Sequence, residues 1–228
     1  MGGMITRRLP ALKVNAEQGR CFVCGGPATT RDHIPPRGIF PEPLPDNLIT
    51  VPACPRCNSE SCRDDEYFRL VVPATTNDNP RALALLNQRI LKRARRKPGL
   101  VIEFLKSVSK VDEVSSGGIY LGPARAVKLD RRRIQTVINK IVRGLFFHHT
   151  GRILGGNCVV EEFWYQPRLT ETVLERICAL PLFNVGDGSV FSYRYELPTS
   201  AFDESAWFLM FYNEVLIIST TGPLSQAL

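Results

Sequence analysis

The chain has 228 residues, 44% hydrophobic and 22% charged, an ordinary globular composition that allows one or two domains and a sizeable core. Lys and Arg number 29 against 22 Asp and Glu, and the resulting +7 suits an anionic partner such as nucleic acid without requiring one. No stretch approaches the roughly 20 apolar residues of a membrane span, and the opening residues carry Arg7, Arg8 and Lys13 in place of an apolar signal core, so no membrane partner and a cytoplasmic location are expected.

Residues 1–19 read as a polar, basic lead-in, and residues 20–72 as a cysteine-rich unit. Within it, 35–45 holds too much proline for regular structure. The β-branched run at 47–51 predicts a strand, and 59–72 a helix with Tyr67, Phe68 and Val71 on its apolar face. Asn79-Pro80 is a helix start, Asn capping and Pro in the first turn; the helix ends in the dense positive cluster Lys92, Arg93, Arg95, Arg96, Lys97. A shorter helix is expected over 100–108, and Ser115-Ser116-Gly117-Gly118 marks a break. Beyond it, 119–129 reads as a strand. Asp130 caps a long helix whose Ile134, Val137, Ile138, Ile141, Val142 and Leu145 form one apolar stripe, with Gly151 as C-cap. A strand at 159–165, a helix at 169–180, a strand at 189–197 and a hairpin of 207–212 and 215–220 turning at Asn213-Glu214 complete the pattern.

The seven cysteines are the most informative residues. Cys21-Phe22-Val23-Cys24 and Cys54-Pro55-Arg56-Cys57 are two CxxC pairs separated by 29 residues. Each pair presents two sulfurs from a tight turn, and two pairs at this spacing predict a closed tetrahedral Zn²⁺ site, structural because four thiolates leave no open position. Unmetallated turns and a redox CxxC are the alternatives, the latter needing a βαβ context that is missing. Cys62, Cys158 and Cys178 remain as ordinary thiols, which suits a reducing cytosol. Between the pairs lies Asp32-His33-Ile34-Pro35, and directly after the second lies Asn58. His33 titrates near neutrality and can take a proton from water. Asp32 is a hard oxygen ligand of the type Mg²⁺ or Mn²⁺ takes, and Asn58 offers a neutral oxygen.

The order Cys21-x-x-Cys24, Asp32-His33-Ile34-x-Pro36, Asn47-Leu48, Cys54-x-x-Cys57-Asn58 resembles the HNH endonuclease family in its zinc-stabilised form. The resemblance covers residues 20–70, under a third of the chain. It implies a ββα-metal finger, two antiparallel strands and a helix around a divalent cation. It further implies that His33 is the general base, that Asp32 and Asn58 ligate the catalytic cation, and that Asn47 fixes the loop and orients the base. The implied activity is hydrolysis of a DNA phosphodiester. Two positions depart from the family pattern: Asn47 lies two residues farther from Cys54 than the commonest spacing, and Cys62 stands where the family often carries His, Asn or Lys. The acidic run Asp64-Asp65-Glu66 either supplies a ligand or favours the helix start through the dipole, and the second reading is preferred.

The expected fold class is α+β: an HNH nuclease unit at 1–75, a basic helical connector at 76–115 and an α+β recognition or scaffold domain at 116–228. Lys92, Arg93, Arg95, Arg96 and Lys97 are candidate phosphate contacts, weighed evenly against a solvated helix end. Arg131, Arg132, Arg133, Lys140 and Arg143 are a weaker candidate of the same kind. His148 and His149 are adjacent on a helix and do not face one site. Trp164, Tyr165, Trp207, Phe208, Phe211 and Tyr212 suit base stacking or, given their strand context, core packing. The expected partners are DNA or RNA and either a second copy of the chain or another protein. The rival reading is a zinc-finger-like nucleic-acid binder without catalysis.

Overall fold

The computed structural model describes residues 19–76, 79–94, 98–156, 158–163, 169–197 and 204–223. Among them the chain is mixed α and β, with six helices and three antiparallel sheets. The elements run β1 (Thr30–Ile34), a 3-10 turn (Arg37–Ile39), β2 (Ile49–Ala53), α1 (Pro55–Glu60), α2 (Cys62–Ala74), α3 (Pro80–Ala94), α4 (Pro98–Ser107), β3 (Val108–Val114), β4 (Tyr120–Val127), α5 (Arg131–Thr150), β5 (Cys158–Phe163), α6 (Glu171–Ala179), β6 (Phe183–Val185), β7 (Phe191–Glu196), β8 (Ser205–Phe211) and β9 (Val215–Pro223).

Local chemistry accounts for several element ends. Asn79 Oδ1 accepts the Arg81 and Ala82 backbone N–H groups at 3.0 and 3.3 Å and so caps α3. Asp130 accepts from the Arg133 N–H at the start of α5, and Gly151 closes that helix in the left-handed region, φ 67°. Tyr212 and Asn213, both at φ above 50°, turn β8 into β9. The helix expected over 59–72 is two helices. Cys54 caps α1, its Sγ accepting the Cys57 N–H at 3.4 Å, and the chain resets at Ser61 before α2 begins. Three strands had no clear signal of their own. β1 is short and polar, β3 is charged, and β6 spans three residues.

β1 and β2 pair in register Asp32↔Val51 and His33↔Thr50. The large sheet has the order β5-β9-β8-β7-β6. In β8, Ser205, Trp207, Leu209 and Phe211 are buried while the residues between them are half-buried, the period-two pattern of a sheet with one covered face. One hydrophobic cluster runs through both sheets: Phe22, Ile34 and Phe40 from the cysteine-rich region, Phe68 and Val71 from α2, the stripe of α5, and Phe191, Trp207 and Ile217 from the large sheet. Phe68 meets Phe211 edge-on with ring centroids 5.4 Å apart, and the Tyr212 hydroxyl donates to the Ile39 carbonyl at 2.6 Å. The β3–β4 ribbon differs, since all of β3 except Val108 is exposed.

α5 lies against β1 and β2 as well as α2 and β5. The approach needs Gly144, because a Cβ there would stand 2.5 Å from Ile34 Cγ1 and 2.6 Å from its Cδ1. Ile34 is fully buried and β-branched, with little freedom to retreat. Gly144→Val is therefore expected to lower stability by about 1–3 kcal/mol in a denaturant titration despite its better helix propensity.

Candidate metal centre and the Asp32–His33 cluster

The four cysteines of the two CxxC pairs converge. The Sγ atoms of Cys21, Cys24, Cys54 and Cys57 all lie within 4.8 Å of one another, and Cys24 Sγ stands 3.8 Å from Cys54 Sγ. A tetrahedron of sulfurs about 2.3 Å from a zinc ion has edges of about 3.8 Å, so the spacing fits such an ion. The first pair sits on a tight turn, with the Cys21 N–H on the Gly26 carbonyl and the Gly25 N–H on the Cys21 carbonyl. Gly25, at φ 71°, supplies the left-handed residue this turn needs. The second pair is the cap and first turn of α1.

The thiols of Cys57 and Cys21 are pushed in opposite directions. Burial and the hydrogen-bonding sulfurs of Cys54 and Cys24 push the Cys57 thiol well up. Burial acts on Cys21 in the same direction but is outweighed by hydrogen bonds from the backbone at Cys24, Cys54 and Val23, which leave it at about 7. A divalent cation removes the conflict by taking the charge of all four thiolates. The four cysteines can thus hold a metal such as zinc.

Asp32 and His33 follow on β1 and face opposite sides of the hairpin, as strand geometry requires. Asp32 is 7% exposed. Its Oδ1 accepts the His33 backbone N–H at 2.8 Å, and its Oδ2 lies 3.4 Å from Lys140 Nζ of α5. Lys140, 6% exposed, also reaches Asp65 Oδ2 at 2.6 Å and Ser61 Oγ at 3.1 Å. Asp32 Oδ2 and Asp65 Oδ1 are buried and accept no hydrogen bond. Burial raises the Asp65 carboxyl, with the Lys140 ammonium opposing and the Asp32 charge adding to it. His33, on the other face, is half-buried. Its imidazole is held below the usual histidine range by burial first and then by Arg37, with Asp32 opposing, and Arg31 lowers it further. The ring is accordingly neutral at pH 7, the form that accepts a proton.

Asn58 joins this cluster. Its Nδ2 donates to Thr30 Oγ1 at 3.1 Å and to the Arg31 carbonyl at 3.3 Å, bracing α1 against β1 beside Asp32. Asn47 is engaged elsewhere. Its Nδ2 donates to the Asn184 carbonyl at 3.2 Å, and its Oδ1 accepts the Gly186 N–H at 2.6 Å, which ties the loop before β2 to the turn after β6. Lys92 and Arg93 fall in the last turn of α3, whereas Arg95, Arg96 and Lys97 lie outside the described residues, as do Trp164 and Tyr165.

Three cations of α5 considered as phosphate contacts are spent inside the protein. Lys140 holds the buried carboxylates. Arg133 pairs with Asp64 at 3.0 Å and lies over the Tyr67 ring. Arg143 donates to the Leu154 and Cys158 carbonyls at 2.9 and 3.0 Å. His149 is likewise structural, with Nε2 2.9 Å from the Tyr193 hydroxyl and Nδ1 3.1 Å from that of Tyr195, and burial brings its pKa down to about 4. Trp207, Phe211 and Tyr212 are core residues. Sequence reasoning missed Arg31 and Arg37, exposed cations acting on His33, and missed the pairing of buried Lys140 with half-buried Asp65. The only signal for Arg31 was its i, i+2 spacing from His33 on one strand face. A cavity of about 660 Å³ between α2, α3 and α4 is lined by Arg63, Glu66, Arg69, Leu85, Leu100 and others, and includes none of Asp32, His33 or Asn58.

Two outcomes follow from this geometry. The purified protein is expected to carry one zinc ion by elemental analysis, and Cys21→Ala or Cys57→Ala to lose it together with the fold of the surrounding unit, because ligand closure and folding are coupled. Lys140→Met leaves buried Asp32 and half-buried Asp65 without their shared cation and is expected to cost about 2–4 kcal/mol in thermal or denaturant unfolding, with Lys140→Arg costing less. Among the described residues no helix is long and apolar enough to cross a membrane. No family model, no curated protein and no solved structure matches the chain.

Proposed function

We propose that this protein is a metal-dependent HNH-type endonuclease that hydrolyses DNA phosphodiester bonds, and that the four cysteines hold a structural zinc ion. The observation that carries the reading is the joining of β1 to α1. The cysteine knot and the Asn58 amide bring Asp32, His33 and Asn58 into one small unit, a strand pair followed by a helix. A strand pair followed by a helix supports reading this unit as the ββα-metal finger that the motif implies.

In this reading His33 is the general base. It is neutral at pH 7 and flanked by Arg31 and Arg37, which would draw a phosphate towards its face. Asp32 fixes the His33 backbone through its Oδ1, which limits the wander of the imidazole. Asp32 and Asn58 would hold the Mg²⁺ or Mn²⁺ ion, which when bound stabilises charge on the scissile phosphate and the leaving oxygen. For that the Asp32 carboxylate would exchange its inward partner Lys140, 3.4 Å from Oδ2, for the ion. A single unit nicks one strand. Asn47 would act by bracing the loop that leads into β2.

A second reading, a nucleic-acid-binding module without catalysis, is favoured by one feature: Asp32 already has a cation partner in Lys140. The two readings separate on supercoiled plasmid with Mg²⁺, Mn²⁺ or EDTA. Metal-dependent nicking by the wild type, reduced at least roughly a hundred-fold in His33→Ala with zinc content and fold unchanged, supports the nuclease, since positioned general bases contribute about 10²–10⁴-fold. Salt-sensitive binding with no cutting of plasmid, single strands or RNA supports the binding module.

A further inference from the structure

Among the described residues the β3–β4 ribbon meets the core only near its base, where Val108 and Val127 pack against it. A two-stranded ribbon is marginal in water unless a third strand or another element covers it. Here residues 109–114 are all exposed, and Val111, Val114, Ile119, Tyr120 and Leu121 stand 39–68% exposed. Solvent-facing apolar residues grouped in this way mark a contact surface.

The two edges of the ribbon differ. β4 is a poor template. Pro123 has no N–H to donate, Gly122 sits at φ 129°, and the register shifts between Glu113 and Val114, leaving Leu121 out of the pairing. β3 contains neither Pro nor Gly and is regular from Val108 to Glu113. Its sequence, Val108-Ser109-Lys110-Val111-Asp112-Glu113-Val114, is self-complementary when paired antiparallel with a copy of itself about Val111. Val108 then opposes the partner's Val114, Val111 opposes its own copy, and Lys110 opposes the partner's Asp112 twice over, once on each side of the two-fold axis. A charge in the middle of an edge strand ordinarily blocks pairing. At this register Lys110 and Asp112 each meet their opposite while Glu113 faces the partner's Ser109, and the Lys–Asp pairs become a specificity element. An isologous interface of this kind has the self-complementarity that two-fold symmetry demands.

We infer that β3 is a homodimerisation strand. Two copies of the chain join edge to edge through antiparallel β3–β3 pairing centred on Val111, and the two ribbons become one four-stranded sheet. The inference stands on the ribbon alone and does not require the nuclease reading. If that reading holds, the dimer carries two His33 clusters and can cut both strands of a duplex.

The test is sedimentation equilibrium of the full chain and three charge variants, with zinc content and circular dichroism as checks on folding. The wild type is expected at twice the 25.6 kDa chain mass. Lys110→Glu alone and Asp112→Lys alone each set like charges opposite one another at two places and are expected to weaken the dimer roughly ten-fold or more. The double variant Lys110→Glu/Asp112→Lys restores opposite charges in every pair and is expected to recover the wild-type affinity. A wild type that stays monomeric at the highest concentration tested overturns the inference. So does a dimer indifferent to both single variants, or one that the double variant fails to rescue. Because all of these residues are exposed, the substitutions leave the core untouched.

Discussion

The Sγ atoms of Cys21, Cys24, Cys54 and Cys57 lie within 4.8 Å of one another, a spacing that can hold a metal ion, and four thiolates so close need a cation to take their charge. Much of the N-terminal region rests on that constraint. β1 and β2 have five residues each, too few for a hairpin to persist in water by itself. A metal on the four sulfurs would tie the turn before β1 to the helix after β2 and hold the ends of the hairpin together. Such a tie would add to the burial of Ile34 and Val51 in the shared core in fixing the positions of Asp32, His33 and Asn58.

The second support comes from a distant part of the chain. α5 brings a bare backbone at Gly144 against Ile34 and an ammonium at Lys140 between Asp32 and Asp65. Burying three charged groups is costly, and the pairing offsets that cost only because the geometry is close and Ser61 adds a hydrogen bond. The result is directional. Asp32 is fixed on one side by Lys140 and on the other by the His33 N–H, so α5 influences the strand that carries the imidazole. The same helix buries its stripe against the large sheet. The cysteine-rich region and the large sheet therefore share one core, and the Asn47 amide and the Tyr212 hydroxyl add polar ties between them.

Electrostatics divide β1 into two faces with different roles. The inward face holds its charge in a closed set of partners, away from solvent. The outward face carries half-buried His33, whose pKa burial lowers first and Arg37 second, and the exposed cations Arg31 and Arg37 lend the surface a positive potential. The period of two in an extended strand produces this division, and one slipped residue in the β1–β2 register would exchange the two faces.

What the sequence determined by itself was local. CxxC spacing, the Asn79 and Asp130 caps, the Gly151 stop and the apolar stripe of α5 are set by neighbours within a turn or two, and each lies where the residues predict. The close grouping of four cysteines was legible because each pair is a local turn and only one further contact is needed to join them. Tertiary structure alone decided the rest. β1 carries too few apolar residues to announce a strand, and its extended form comes from pairing with β2. Lys140 reads as part of a polar helix face and is buried, because the carboxylates that neutralise it lie 75 and 108 positions away in sequence. Asn47 is engaged 137 to 139 residues downstream. Charge pairs and side-chain amides carry no periodicity, so their partners become known only when the fold has brought them together.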